Sequence, residues 1–206
     1  MTLCFATNNA HKLAEVQDAL GSAFTLRTLA EVGCTEELPE TGRTLEANSL
    51  EKAAYLYDHY GVDCFADDSG LDVAALGGEP GVDSAHYAGP HRSHADNVAL
   101  LLKNLDGHAD RSARFRAVFT LIRGGEVHQF EGDVRGHIID APRGHEGFGY
   151  DPVFVPDGHD RTFAEMTIAE KNGLSHRTRA LEKMKAFLSE SQRRTVRMVR
   201  KKGWTG

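Results

Sequence analysis

The chain has 206 residues, 40% of them hydrophobic and 26% charged, which is the composition of a globular domain rather than of a disordered or fibrous chain. Its formal charge of −6 works against general nucleic-acid binding and against an anionic membrane surface. No apolar run reaches the roughly 20 residues of a membrane span and no leader pattern opens the sequence, while Cys4, Cys34 and Cys64 stand far apart, as expected of reduced thiols in a cytoplasmic protein.

Residues 2–6 read as a short buried strand. A polar loop follows, and Leu13, Val16 and Leu20 keep helical spacing over Ala10–Leu20, with Asn9 as N-cap and Gly21 as stop. A second helix is predicted over Leu45–Tyr60, capped by Thr44 and ended by Gly61, with Ala53, Leu56, Tyr57 and Tyr60 on one face. A strand over residues 62–70 comes next. Residues 93–105 form a helix with Val98, Leu101, Leu102 and Leu105 inward. Phe115–Arg123 alternates as a strand, Gly124 and Gly125 signal a two-residue hairpin, and Glu126–Ile139 returns. The last helix is expected from Ser175 to about Ser189, with Leu181, Met184 and Leu188 along it. Helices alternating with strands, then a hairpin, argue for an α/β domain with a mixed sheet over residues 1–190. Residues 191–206, basic from Arg193 to Lys202, are set apart as a flexible tail.

The chemistry concentrates at Asp67-Asp68-Ser69-Gly70. Two adjacent carboxylates at a strand end ask for a partner, and a divalent cation shared with substrate phosphates is the usual one. The same four residues are also ordinary turn chemistry. Thr7, Asn8, Asn9, Ala10, His11 and Lys12 join a strand to a helix start, where backbone amides and the helix dipole attract anions. Lys12 opposes that dipole, which a bound anion between them would explain. Glu37, Glu40 and Glu46 flank the second helix as further carboxylates, and Lys52 lies on it beside the face of Asn48 and Tyr55. Phe148, Gly149, Tyr150 and Asp151 offer π-faces on a bendable backbone with an acceptor beside them, suited to a nucleobase. Ser175, His176 and Arg177 open a helix with donors that would meet a purine 6-oxo group rather than a 6-amino group. His86, His91 and His94 lack metal-ligand spacing and read as solvated.

Together the motifs Thr-Asn-Asn-x-x-Lys, Glu-Thr-Gly, Asn-x-x-x-Lys, Ala-Asp-Asp-Ser-Gly-Leu, Leu-Gly-Gly-x-Pro-Gly, Gly-Phe-Gly-Tyr-Asp-Pro, Ala-Glu-Met, Glu-Lys-Asn and Ser-His-Arg resemble the inosine/xanthosine triphosphate pyrophosphatases, the Ham1-like enzymes, from residue 2 to about 188. The resemblance implies a two-lobed α/β fold with a long mixed sheet, flanking helices and a substrate cleft between lobes. It implies Mg²⁺ as cofactor, a homodimer, and hydrolysis of ITP, dITP and XTP to the monophosphate and pyrophosphate. By the same resemblance Asp68 matches the general base and a metal ligand, and Glu40 a second metal ligand. Thr7, Asn9, Lys12 and Lys52 match phosphate contacts, and Ser69 another substrate contact. Phe148, Gly149, Tyr150 and Asp151 match the base and sugar pocket. Lys171, His176 and Arg177 match the contacts that read the 6-oxo purine. The sequence departs from the family pattern at Asn8, commonly Gly, at Ala47, commonly Glu, and at His86, commonly Arg. How a 2-amino purine such as that of GTP is refused has no assignment in the sequence. A pyrophosphatase for pyrimidine or modified nucleotides, and a non-enzymatic nucleotide- or RNA-binding protein, remain as alternatives.

Overall fold

A computed structural model describes residues 1–21 and 24–202, without the side chains of residues 192 and 194–202. Trp204 lies outside the described residues. In chain order the main elements are β1 (Thr2–Phe5), α1 (Ala10–Leu20), β2 (Thr25–Arg27), α2 (Leu45–Tyr60), β3 (Cys64–Val73), β4 (Pro80–Gly81), α3 (His94–Asn104), β5 (Ser112–Arg123), β6 (Glu126–Ile138), β7 (Phe154–Pro156), α4 (Ile168–Asn172) and α5 (His176–Lys202). The sheet runs β2-β1-β3-β5-β6-β7, with β4 beside β3. β1 pairs parallel to β2 and β3, through the helical crossovers that parallel pairs require, and every other pairing is antiparallel.

Period-two alternation decides which core each residue enters. On β1, Leu3 and Phe5 face α1 and α5, whereas Cys4, and Ala6 just past the strand, face α2. On β3, Phe65 continues the first face and Cys64 and Ala66 the second; Phe5, Phe65 and Phe119 stack across three strands at 4.7 and 5.9 Å. Further along, the same strands enter a third core. Leu71 and Val73 of β3 and Ala113 and Phe115 of β5 pack there with α3 and Phe154. β3 and β5 therefore run from one hydrophobic region into another. Asp67, Asp68, Ser69 and Gly70 occupy the crossing, where no apolar cluster claims them.

This corrects two expectations. Asp67–Gly70 are not a turn, nor do they end the strand. They sit inside β3, paired antiparallel with Phe119, Val118, Ala117 and Arg116. Gly70 permits this continuation because a Cβ there would collide with the Gly81 carbonyl of β4. The last helix does not stop near Ser189; α5 is one helix of 27 residues through Lys202. The short elements β2, β4, β7 and α4 carry too few residues for a periodicity to show. The hairpin is as expected, with Gly124 and Gly125 both at positive φ between Arg123 and Glu126.

Candidate active site

Because Asp67 and Asp68 are neighbours in a strand, their side chains leave on opposite faces. Asp67 enters the side of α1 and α5. It is 1% exposed and accepts from Lys12 Nζ at 3.2 Å and Arg177 Nε at 3.2 Å. Burial pushes its carboxyl up, but Lys12, Arg177 and Lys52 outweigh that and hold it at about 2. Asp68 enters the side of α2. It accepts from Asn48 Nδ2 at 3.0 Å and lies 3.9 Å from Lys52 Nζ. Burial raises its carboxyl, and Lys52 and Lys12 undo only part of that. One residue of a strand thus splits the pair into a permanently ionised anchor and a more basic carboxylate.

The two faces build two halves of one cleft of about 620 Å³. On the α2 side, the Glu40 carboxylate meets Lys52, which stands between Glu40 and Asp68. The loop carrying Glu40 is fixed to α2 through Glu36, Thr41 and Gly42. Glu36 accepts from Tyr55 and Tyr60 hydroxyls, Thr41 donates to Glu51, and the Gly42 amide donates to Asn48 Oδ1 at 2.8 Å. Burial pushes Glu40 up, yet Lys52 holds it below the usual carboxylate range. Asn9 caps α1 by accepting the His11 and Lys12 amides, so an anion there meets the Lys12 ammonium rather than those two amides. Lys12, unfavourably placed in the first turn of α1, has Asp67 as its partner at 3.2 Å. Burial lowers Lys12, and Asp67 partly restores it.

On the other side, Glu15 of α1 accepts from Lys171 Nζ at 2.6 Å and from Arg177. Lys171 also donates to Asp151 Oδ2 at 2.6 Å, the atom that accepts the Phe148 amide at 2.9 Å. Arg177 Nη2 donates to Ser69 Oγ at 3.0 Å. The half-buried Phe148 ring stacks on His11 at 5.2 Å, with Lys171 Nζ 5.1 Å and the Arg177 guanidinium 5.6 Å from its centroid. His176 lies flat on Phe115 at 4.9 Å, and its Nδ1 is the one buried side-chain polar atom without a partner among the described residues. Burial, then Arg177, Lys171 and Lys12, keep its imidazole neutral, well below the usual histidine range.

A model of the Ham1 family matches residues 3–187. A Flavobacterium johnsoniae protein named dITP/XTP pyrophosphatase is 44% identical over 192 residues, 93% of this chain and all of the relative. A Porphyromonas gingivalis protein of the same name is 47% identical over 187 residues, 90% of this chain and 96% of the relative. The solved Staphylococcus aureus Ham1 protein superposes with a TM-score of 0.84 at 34% identity, over 93% of this chain and all of that one. The chain belongs to the Ham1 family.

Of the sequence-derived site residues, this Ham1 chain brings Thr7, Asn8, Asn9, Lys12, Glu40, Lys52, Asp68, Ser69, Phe148, Gly149, Tyr150, Asp151, Lys171, His176 and Arg177 to the cleft wall. Ala10 and His11 stand behind it, and His11 reaches the site only through Phe148. Tyr150 is buried in the third core and donates its hydroxyl to the Ser84 carbonyl at 2.9 Å, so it anchors the wall. Asn8 does not have positive φ, so its departure from Gly costs no left-handed strain. Glu46 is not on the cleft wall and pairs with Arg116 at 2.9 Å, so it does not replace the carboxylate missing at Ala47. His86 and His94 border the cleft but join no metal cluster among the described residues. Sequence reasoning missed Glu15 and Asn48 as structural partners of the site, and Arg92 on its rim.

Proposed function

We propose that this protein hydrolyses deaminated purine nucleoside triphosphates, dITP, ITP and XTP, to the monophosphate and pyrophosphate, and so cleanses the nucleotide pool. The observation that carries the reading is a single cleft with Lys12, Lys52 and the basic carboxylate Asp68 at one end. An aromatic face and an unpartnered, neutral His176 Nδ1 lie at the other. The names of its Ham1 relatives support it.

In this reading Phe148 stacks the base, while His176, Arg177 and Lys171 supply its polar contacts. Lys12 and Lys52 neutralise the phosphate chain. Asp68 accepts a proton from water as the water oxygen bonds to the α-phosphorus, and the bond to the bridging β-phosphate oxygen breaks, releasing pyrophosphate. A carboxylate raised by burial suits that role better than its neighbour held at about 2. Asp68 and Glu40 flank the Lys52 ammonium, and Mg²⁺, which binds through one or two carboxylates plus substrate phosphates, would be held by these two once that ammonium turns to the phosphate chain. Bound there, it would supply charge neutralisation at the phosphates. Three buried free thiols agree with a reducing, cytoplasmic place. A homodimer is part of the same proposal by family resemblance.

Product analysis tests the reading. With dITP and Mg²⁺ the expected products are dIMP and pyrophosphate in equal amounts. Release of dIDP and phosphate, or no turnover of dITP beyond that of dATP, would overturn it.

A further inference from the structure

Arg92 is the only non-glycine among the described residues with a left-handed backbone, φ 51°. Such a conformation persists only where the surroundings impose it. Here the Arg92 amide donates to Gly89 O at 3.3 Å, His91 Nε2 meets Asp96 at 3.0 Å, the Ala88 amide donates to Asn97 Oδ1 at 2.7 Å, and Ser93 caps α3. The result is a guanidinium on the cleft rim. Its Nη2 lies 3.6 Å from Glu40 and its Nη1 3.8 Å from Glu37.

The cations deeper in the cleft each already face a carboxylate. Lys12 is held by Asp67, Lys171 by Glu15 and Asp151, Arg177 by Glu15 and Asp67, and Lys52 by Glu40. With Asp68 added, carboxylates outnumber cations there. A polyanion entering this site needs a positive charge that can change partners at little cost. Arg92 is that charge: its ion pairs are longer, its side chain is 51% exposed and that of Glu37 82%, and exposed pairs hold weakly in water. A guanidinium is also shaped for two-point contact with phosphate.

We propose that Arg92 is a phosphate-binding residue of this cleft, which leaves Glu37 and Glu40 to engage the substrate's phosphate chain and so releases one constraint on Glu40. The proposal rests on the triphosphate reading above, but its test does not require turnover. Binding of inorganic tripolyphosphate, and separately of inosine, is measured by titration calorimetry without metal. Arg92→Gly keeps the left-handed backbone and is expected to weaken tripolyphosphate about tenfold, while inosine changes less than about twofold. Arg92→Lys falls between. Glu37→Gln is expected to tighten tripolyphosphate about twofold, a gain that disappears in the Arg92→Gly background. Unchanged tripolyphosphate affinity in Arg92→Gly, equal weakening of inosine, or a Glu37→Gln gain that survives the loss of Arg92 would each overturn it. A wild-type protein that binds tripolyphosphate through Arg92 yet leaves dITP intact would instead remove the functional reading and keep this site.

Discussion

At Asp68 burial raises the carboxyl, and Lys52, Lys12 and Asn48 return only part of the cost. Its charge is therefore held at some expense to stability, which the proposed role as base would account for. Asp68→Asn is expected to lose at least about 10²-fold in dITP turnover while its thermal midpoint stays level or rises. A lower midpoint with near-normal turnover would make Asp68 structural. Glu15 is the opposite case. Lys171 and Arg177 together pull it below the usual glutamate range against burial, and it is 5% exposed. Glu15→Ala leaves two buried cations short of a partner and is expected to cost roughly 3–5 kcal/mol in urea unfolding. A loss within the ordinary surface range of about 0.5 kcal/mol would show that water reaches the cluster. These two residues also mark what a sequence discloses. Asp68 was legible because its signal is local: two carboxylates, a hydroxyl and a glycine in a row. Glu15 was not, because its partners lie 156 and 162 residues away. Its single local trace is a carboxylate beside Val16 on the inward face of α1, one turn after Lys12.

Among the elements, α1 and α2 match their sequence-derived bounds because cap, periodic face and terminal glycine agree at each end. The strands were misjudged where polar residues continue them. Asp67–Gly70 also read as turn residues, and it is their pairing with β5 that keeps them inside a longer strand. The seat of α5 was equally hidden. A Cβ at Gly132 of β6 would collide with the His176 carbonyl and the Ala180 amide, so the absence of a side chain there sets how closely α5 approaches the sheet. Nearby, Lys183 and Arg179 donate to the Glu131 and Asp133 carbonyls at 2.6 and 2.7 Å, covering that edge of β6. Since His176 and Arg177 open α5, this seat also aims them. Gly132→Ala is expected to destabilise the protein by about 1–3 kcal/mol and to reduce preference for dITP over dATP together with it. Stability lost with the preference intact would separate the seat of α5 from base recognition.

On the scale of the whole molecule the buried charges link stability to pH with opposing signs. Asp67, held at about 2 against an ordinary 3.8, favours the folded state above about pH 4, and that advantage is lost as pH falls towards 2. Asp68 and Asp151 are raised, so the folded state takes up their protons first, and acid relieves them. His176 acts at the highest pH of these. Its folded form stays neutral because burial, Arg177, Lys171, Lys12 and Arg179 all disfavour the cation, while the unfolded chain protonates near 6.5. Below that value the unfolded state binds the extra proton, so stability must fall as pH drops. The slope from this one group approaches about 1.4 kcal/mol per pH unit. His176→Phe keeps an aromatic ring against Phe115 and removes the titration. Unfolding free energies measured in urea between pH 7.5 and 5 should therefore decline more steeply for the wild type than for His176→Phe. The difference opens only below about pH 6.5, and taking it cancels the opposing shares of Asp68 and Asp151. Parallel curves would mean that His176 accepts its proton in the folded state, and the neutral Nδ1 assigned to meet the base would have to be given up with it.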